Sequence, residues 1–276
     1  MYKVLSKDII EKEILPHLST AKRGFKTKSC LLEVVNSILY KLKTGVQWHM
    51  LPIDSLFTIN KLSYKTVFGH FRKWCKKGEW EQVWIHVLSK YKKFLDLSSG
   101  DIDGSHSTAL RGGEEVAYQG RKKRKTTNSL YLTDRQGIPV SLSKPVAGNH
   151  HDLYRIDETL EELFSTVQQA GISLDGLFIN ADSGFDSKDF RKGCDKYGVI
   201  ANVDFNMPNA NMDNDYLLDE LLYTERYSIE RTNAWMDSYR SLLNRFDTTV
   251  SSWISFNYIA FVSILFKKIN KIKKSR

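Results

Sequence analysis

The sequence is poor in the features that mark several protein classes. Its three cysteines, Cys30, Cys75 and Cys194, are far apart, with no CxxC motif. This spacing excludes a disulfide scaffold and a cysteine-rich zinc site, and it is typical of reduced cytoplasmic thiols. No proline-rich or Gly/Ser-rich tract and no repeat of solenoid length is present. We therefore expect an ordinary folded globular chain.

Long hydrophobic runs are also missing. The N-terminal sequence MYKVLSKDII is too charged for a signal peptide. The most apolar segment covers only residues 253–266 and contains Ser255, Asn257 and Ser263, whereas a membrane-spanning helix needs about 20 apolar residues. We predict a core helix there, no membrane partner and a cytoplasmic location.

Basic residues outnumber acidic ones. The 41 Lys and Arg against 32 Asp and Glu give a net charge of +9. Such an excess favours a polyanionic partner, nucleic acid before a membrane surface. Charge alone leaves a merely solvated basic surface open.

Residues 1–97 show helix patterns and no strand pattern. Ser29 is a candidate cap for a helix that ends at Gly45, and Ser63 for a helix that runs to Lys76. A third helix is predicted over residues 79–94. On the helix after Ser63, Lys65, Arg72 and Lys73 lie off the apolar stripe. A basic face of this kind suits a helix that reads a DNA groove, but it also fits a solvated surface.

From residue 98 the pattern becomes α/β. Strands are predicted over residues 101–103, 129–133, 138–146, 177–181 and 199–203, and helices over residues 152–170 and 187–197. Short turns join the first three strands, which should pair antiparallel, while helices separate the later strands, which can add in parallel. The sequence thus predicts a helical region, residues 1–97, followed by an α/β domain, residues 98–276, with a mixed sheet flanked by helices.

Two aspartates flank a single residue in the first strand. Asp101 and Asp103 should point to the same face, where carboxylates repel one another unless a cation is near. Magnesium prefers such oxygen ligands. A solvent-facing strand edge is the alternative.

A further aspartate follows an apolar strand. Asp182 in NADSGFDS lies where the strand over residues 177–181 ends, the edge at which open sheets bind ligands. It could instead be a turn aspartate. Asp186 suits that role better, because it directly precedes a helix.

The segment ERYSIERTNAWMDSYRSLLNRFD reads as one long helix. At about 100° per residue, its apolar side is formed by Trp235, Tyr239, Leu242, Leu243 and Phe246. Glu230 falls opposite, on a polar face shared with Arg226, and Arg240 is a second arginine available to phosphates. Solvation alone would also explain this glutamate.

The order of Asp103 in GDIDGSHS, Asp182 in NADSGFDS and Glu230 in YTERYSIERTNAW resembles the DDE transposases of bacterial insertion sequences, in the group around insertion sequences four and five. The segments GVQWHMLP, VFGHFRKWCKKGEW, GRKKRKTTNSLYLTDRQGIPV and PVAGNHHDL extend the likeness over nearly the whole chain. The resemblance implies a ribonuclease H-like catalytic domain behind an all-α, helix-turn-helix-like DNA-binding region.

The resemblance also implies residue roles. Asp103, Asp182 and Glu230 would hold two Mg²⁺ or Mn²⁺ ions, and Tyr223 and Arg226 match the family's spacing before the glutamate. Asp237 stands where many relatives have a basic residue, with Arg240 as the nearest substitute. His150 and His151, which with Asp152 could also be read as a transition-metal site, would lie near the active site. Phosphate contacts are expected from Arg121, Lys122, Lys123, Arg124 and Lys125.

The implied function is DNA transposition. The chain would bind double-stranded DNA at the inverted-repeat ends of its element and at the target, as a homodimer on the bacterial nucleoid. It would cleave and transfer strands with divalent metal ions. A catalytically inactive DNA-binding regulator is the main alternative. A stand-alone ribonuclease H-like nuclease is less favoured, since a nuclease that reads only backbone gains little from a helical module that reads sequence.

Overall fold

The computed structural model describes residues 4–20, 30–205 and 218–274. The chain forms two compact units. One combines Met1–Val87 with Met236–Arg276, and the other is Leu88–Trp235.

The first unit is built from helices. Their bounds are α1 Lys7–Ile9, α2 Leu31–Thr44, α3 Ile53–Leu56, α4 Tyr64–Lys76, α5 Glu79–Tyr91, α10 Arg240–Leu243 and α11 Val250–Lys274, with helical turns at Ile10–Ile14, Leu15–His17 and Trp48–Met50 and a two-residue strand β8 at Asn244–Arg245. Residues 4–20 and 30–97 contain no strand before Ser99, which agrees with the helical region predicted there.

Capping residues set the ends of α2 and α4. Gly45 ends α2 with a left-handed φ of 70°, a conformation that glycine adopts without strain. Ser63 caps α4 by accepting a hydrogen bond from the Thr66 N–H at 3.3 Å, as predicted. The predicted cap Ser29 lies outside the described residues, and Cys30 occupies the N-cap position of α2.

Helix α11 belongs to the core of the first unit. Phe256 stacks on Phe71 of α4 with ring centroids 4.4 Å apart, and Phe261 meets Trp84 of α5 edge to face at 5.4 Å. Its length and composition would allow it to cross a membrane, but 78% of its most apolar stretch is buried inside the structure. That burial is what a core helix requires.

The second unit contains a mixed sheet. Its strands are β1 Ser99–Ala109, β2 Ala117–Gln119, β3 Arg124–Asp134, β4 Pro139–Leu142, β5 Val146–Ala147, β6 Phe178–Ala181 and β7 Ile200–Val203; its helices are α6 Ile156–Gln169, α7 Lys188–Asp195, α8 Glu220–Thr224 and α9 Ser228–Asp237. The path through the sheet is β2-β3-β1-β6-β7, and β4 and β5 also pair with β3.

Strand directions follow the prediction. β3 pairs antiparallel with β1 and β4, while β6 is parallel to β1 and β7 is parallel to β6. This is the ribonuclease H-like arrangement that the resemblance implies. β1 and β3 are much longer than predicted. The prediction ended β1 early because Gly104, Ser105 and Ser107 are poor strand formers, yet all three pair with β3.

Candidate functional site

Two of the predicted carboxylates come together at adjacent parallel strands. Asp101 of β1 is directly opposite Asn180 of β6. Asp103 and Asp182 each follow two residues later, and the two carboxylates are close enough for the charge of Asp182 to raise the pKa of Asp103. Asp182 follows the last residue of β6, where the chain leaves the sheet.

The electrostatics of Asp103 reflect this crowding. The pKa of Asp103 is raised to about 6, mainly by burial and to a smaller extent by the negative charges of Asp152 and Asp182, against the lowering effects of the Gly104 N–H and of Arg226. The Gly104 N–H donates to Asp103 Oδ1 at 2.9 Å. Negative charge therefore accumulates here beyond what Arg226 neutralises.

This donor set fits a hard divalent cation. Mg²⁺ and Mn²⁺ take carboxylate oxygens, and a cation beside Asp103 and Asp182 would relieve their repulsion. Within residues 4–20, 30–205 and 218–274, however, no three Asp, Glu, His or Cys side chains are arranged as a group that could hold a metal ion. The carboxylate pair is thus the part of the predicted triad that the structure brings together.

Asp182 also has a local structural role. Its Oδ1 accepts a hydrogen bond from the Gly184 N–H at 2.8 Å and caps the helical turn Ser183–Phe185. Asp182 thus makes the kind of turn bond that was predicted for Asp186, while Asp186 pairs with the buried Arg191 at 2.9 Å and Ser187 caps α7. A carboxylate has several acceptor sites, so the turn bond orients Asp182 without using all of them.

Asp152, predicted only as a member of an alternative transition-metal site with His150 and His151, is a third carboxylate beside Asp103. It accepts a hydrogen bond from Asn128 Nδ2 at 2.7 Å, and its carboxylate lies over Gly104. A Cβ at position 104 would be 2.1 Å from Asp152 Oδ1, so any side chain there would displace the Asp152 carboxylate. Two features of the sequence could have pointed to this contact: the glycine that follows Asp103 and the aspartate that follows two histidines.

The predicted histidines, His150 and His151, directly precede Asp152 in the chain. His150 stacks on Tyr154 with ring centroids 3.7 Å apart, and His151 is exposed, with Nδ1 accepting from the Leu153 N–H at 3.1 Å. A third histidine, His106 of β1, is 3.1 Å from Thr126 Oγ1. Its pKa is lowered, first by burial and then by Lys122, while Asp152 raises it.

Tyr223 and Arg226 lie in the electrostatic range of the carboxylate pair. The Arg226 guanidinium is 5.8 Å from the Tyr223 ring centre. The pKa of Tyr223 is raised by burial, lowered by Arg226 and raised by Asp204 and Asp182. Arg226 in turn lowers the pKa of Asp103. An arginine next to paired carboxylates can contact a phosphate there.

Glu230 is exposed on α9, one helical turn after Arg226. The single long helix predicted for this segment is wrong. The chain forms a helical turn at Glu225–Tyr227, then α9, then an extended Tyr239 before α10. Leu243 and Phe246, predicted on the apolar side, are exposed because the count of 100° per residue does not continue through this break.

The predicted DNA-contact residues have different environments. Arg121 to Lys125 are all exposed at the turn between β2 and β3. On α4, Lys65 is exposed, whereas Arg72 lies 5.7 Å from the Phe68 ring centre and Lys73 Nζ donates to the Ser19 carbonyl at 3.4 Å. Arg240 is exposed with its backbone and Cβ packed on Gly45. Arg72 and Lys73 therefore have packing roles in the first unit as well.

Two family models match the chain. Residues 9–84 match the family described as "Putative transposase of IS4/5 family (DUF4096)", and residues 96–265 match the family "Transposase DDE domain". The second match covers more than half of the chain, which therefore belongs to the transposases with a DDE domain. Members of this class are nucleases and transesterases that generally use divalent metal ions.

Solved structures similar to this chain include three Mos1 transposase assemblies. The paired-end complex with the left transposon end is 13% identical, covers 92% of this chain and 82% of its own, and has a TM-score of 0.30. The pre-cleavage transpososome is 13% identical (91% and 82% covered, TM-score 0.29), and the strand transfer complex is 14% identical (92% and 81%, TM-score 0.29). No curated protein matches the chain. The family assignment rests on the sequence models.

Proposed function

We propose that this chain binds double-stranded DNA at the ends of its own insertion sequence and carries out metal-dependent strand cleavage and strand transfer into target DNA. The observation that supports this most is the Asp103 and Asp182 pair on adjacent parallel strands, with the pKa of Asp103 raised to about 6 by burial and neighbouring carboxylates. In a transposase with a DDE domain, such an excess of negative charge suits divalent cations.

The proposed ligands are Asp103, Asp182 and Glu230, with two Mg²⁺ or Mn²⁺ ions. When bound, the ions would activate the attacking hydroxyl and stabilise the leaving oxygen of an in-line displacement at phosphorus. Arg226 is proposed to contact the phosphate, with Tyr223 beside it. Asp152, held by Asn128, keeps negative charge next to Asp103.

DNA binding is proposed for basic residues of both units. Arg121 to Lys125 would contact phosphates near the site, and Lys65, Arg72, Lys73 and Arg240 would contact the element's end from the first unit. Two ends must be joined, so we propose a homodimer on DNA. The same proposal locates the protein at the bacterial nucleoid in the cytoplasm. A catalytically inactive regulator would bind the same DNA without cleaving it.

A cleavage assay tests the proposal. The substrate is a plasmid with the DNA that flanks the gene on both sides, incubated with full-length protein and Mg²⁺, Mn²⁺ or EDTA. We expect metal-dependent cuts at the element's ends, and a loss of at least about 100-fold for Asp103→Asn and for Asp182→Asn, since the chemistry depends on ligand positions. Affinity for end DNA should remain.

Two variants serve as controls. Asp182→Asn keeps an oxygen for the Gly184 N–H, so a loss of cleavage cannot come from the turn, whereas Asp182→Ala removes both functions. Asp189→Asn removes an exposed carboxylate on α7. Undiminished cleavage by Asp182→Asn contradicts the ligand assignment, and binding without any cleavage by the wild-type chain favours the regulator.

A further inference from the structure

A row of three buried polar side chains crosses the sheet of the second unit. Asp101 on β1 is opposite Asn180 on β6, and Asn180 is opposite Asn202 on β7. Their side chains are 1%, 0% and 1% exposed. Burial of such groups costs free energy unless each is hydrogen-bonded. Each donor and acceptor of this row therefore needs a partner within the protein.

The hydrogen bonds of the row run in one direction. Asn180 Nδ2 donates to Asp101 Oδ1 at 2.9 Å, and Asn202 Nδ2 donates to Asn180 Oδ1 at 2.8 Å. Since a carboxylate only accepts, Asp101 requires each amide to turn its NH₂ group towards β1. At the end of the row, Asn202 makes two bonds to Asp219: Oδ1 accepts from the Asp219 N–H at 2.8 Å, and Nδ2 also donates to the Asp219 carbonyl at 3.0 Å.

Both ends of the row reach the segment with Tyr223 and Arg226. At one end, Asp219 caps α8 by accepting from the Leu222 N–H at 3.0 Å. At the other end, Ser228, the first residue of α9, donates its hydroxyl to Asp101 Oδ2. Residues 219 and 228 are thus fixed to the same row, and Tyr223 and Arg226 lie between them.

We propose that Asp101, Asn180 and Asn202 are positioning residues that hold residues 219–230, with Tyr223, Arg226 and Glu230, against the strands with Asp103 and Asp182. The consequence for cleavage rests on the proposed function; the consequence for the segment does not. None of the three needs to touch DNA. A shift of the segment by about 1 Å would suffice to lower the rate roughly 100-fold.

Reversal of the row tests the proposal in the full-length protein. Asn202→Asp replaces the NH₂ donor with an acceptor facing Asn180 Oδ1, which breaks the row. Asp101→Asn keeps an acceptor for Asn180, and the Ser228 hydroxyl can turn to accept from the new amide. In the double variant the Asn180 amide can turn over, so the direction reverses and the two bonds between the three side chains form again, with the net charge unchanged. The bond from residue 202 to the Asp219 carbonyl is not restored, because a carboxylate cannot donate.

Hydrogen exchange measures the segment directly. For Asn202→Asp we expect amides of residues 220–230 to exchange at least about 10-fold faster, with β3 unchanged, and cleavage of flanking DNA to fall about 100-fold at unchanged affinity. Asp101→Asn should have a smaller effect than Asn202→Asp, and the double variant should recover part of both quantities relative to Asn202→Asp. Should Asn202→Asp unfold the chain, Ser228→Ala, which removes only one end bond, is expected to accelerate exchange at the start of α9.

The outcomes separate the two proposals. Wild-type exchange in Asn202→Asp or in a folded Ser228→Ala variant, or a double variant no better than Asn202→Asp, would overturn the positioning role. If exchange follows the expected pattern but the wild-type protein cleaves no DNA, the row holds the segment and the proposed function fails.

Discussion

Asp103 links the geometry of the site to the stability of the protein. Its pKa is raised from 3.8 to about 6, so between about pH 4 and 6 the folded protein holds a proton that the unfolded chain has released. The contribution of Asp103 to the free energy of unfolding is therefore most favourable at low pH and decreases as the pH rises through about 6. The site is less stable when Asp103 is charged, as expected where a cation is to bind.

Asp103→Asn should remove this pH dependence. The variant cannot ionise, so we expect it to match the wild type near pH 3.5 and to exceed its free energy of unfolding by on the order of 2 kcal/mol at pH 7. Denaturant unfolding across pH 3.5–7.5 measures the difference. The exposed Asp189→Asn should show no such trend; equal curves for wild type and Asp103→Asn would contradict the shift.

At the scale of elements, the turn between β2 and β3 concentrates exposed positive charge. Arg121 and Lys122 both act on the pKa of His106, on the strand of Asp103. The turn therefore lies within electrostatic range of the strand that carries Asp103, and we propose that it guides DNA phosphates towards the carboxylates. Lys123 has a left-handed φ of 49° and is best left unchanged in tests of charge.

Removal of this charge should weaken DNA binding in a salt-dependent manner. For the combined variant Arg121→Ala, Lys122→Ala and Lys125→Ala, we expect the slope of log affinity against log salt concentration to decrease in magnitude by about 3, with no change in thermal unfolding. Fluorescence anisotropy with duplex DNA at several salt concentrations measures the slope. The matched control removes three exposed lysines at the end of α11, Lys271, Lys273 and Lys274. An equal decrease in the control would show that only net charge matters.

At the scale of the whole molecule, the first structural unit is not continuous in sequence, because it combines the N-terminal region with the C-terminal segment. The C-terminal α11 packs on α4 and α5 of the N-terminal region. Family matches, by comparison, divide near residues 84 and 96 and assign residues up to 265 to the DDE domain. The boundary between residues 97 and 98, which divides the predicted DNA-binding region from the predicted catalytic domain, stays a prediction. The first unit needs the C-terminal helix to complete its core.

Phe256→Ala should therefore destabilise the N-terminal helices. Loss of a fully buried phenylalanine that stacks on Phe71 is expected to cost about 3–5 kcal/mol. Hydrogen exchange should show lower protection in α2 and α4 and unchanged protection in β1 and β6. Phe246→Ala, at a side chain 44% exposed, is the control. Loss of protection in the sheet without loss in α4 would contradict this assignment.

Local patterns were sufficient to predict the three long helices of residues 1–97 and the strand directions, whereas the family resemblance implied that Asp103 and Asp182 lie together. Caps such as Ser63, apolar spacing and turn lengths act over a few residues, so they can be read directly from the sequence. The family motifs added the ribonuclease H-like order of the strands.

The tertiary structure alone decided what lies across the sheet from each residue. Asp152 over Gly104, the row from Asp101 to Asn202 and the turn bond of Asp182 join residues whose proximity depends on strand register or on loops that fold back. The break at Tyr239 and the packing of α11 on α4 follow from long-range contacts in the same way. Sequence determined which residues could form helices, strands and charged sites, whereas burial and hydrogen-bond satisfaction in three dimensions decided which of them meet.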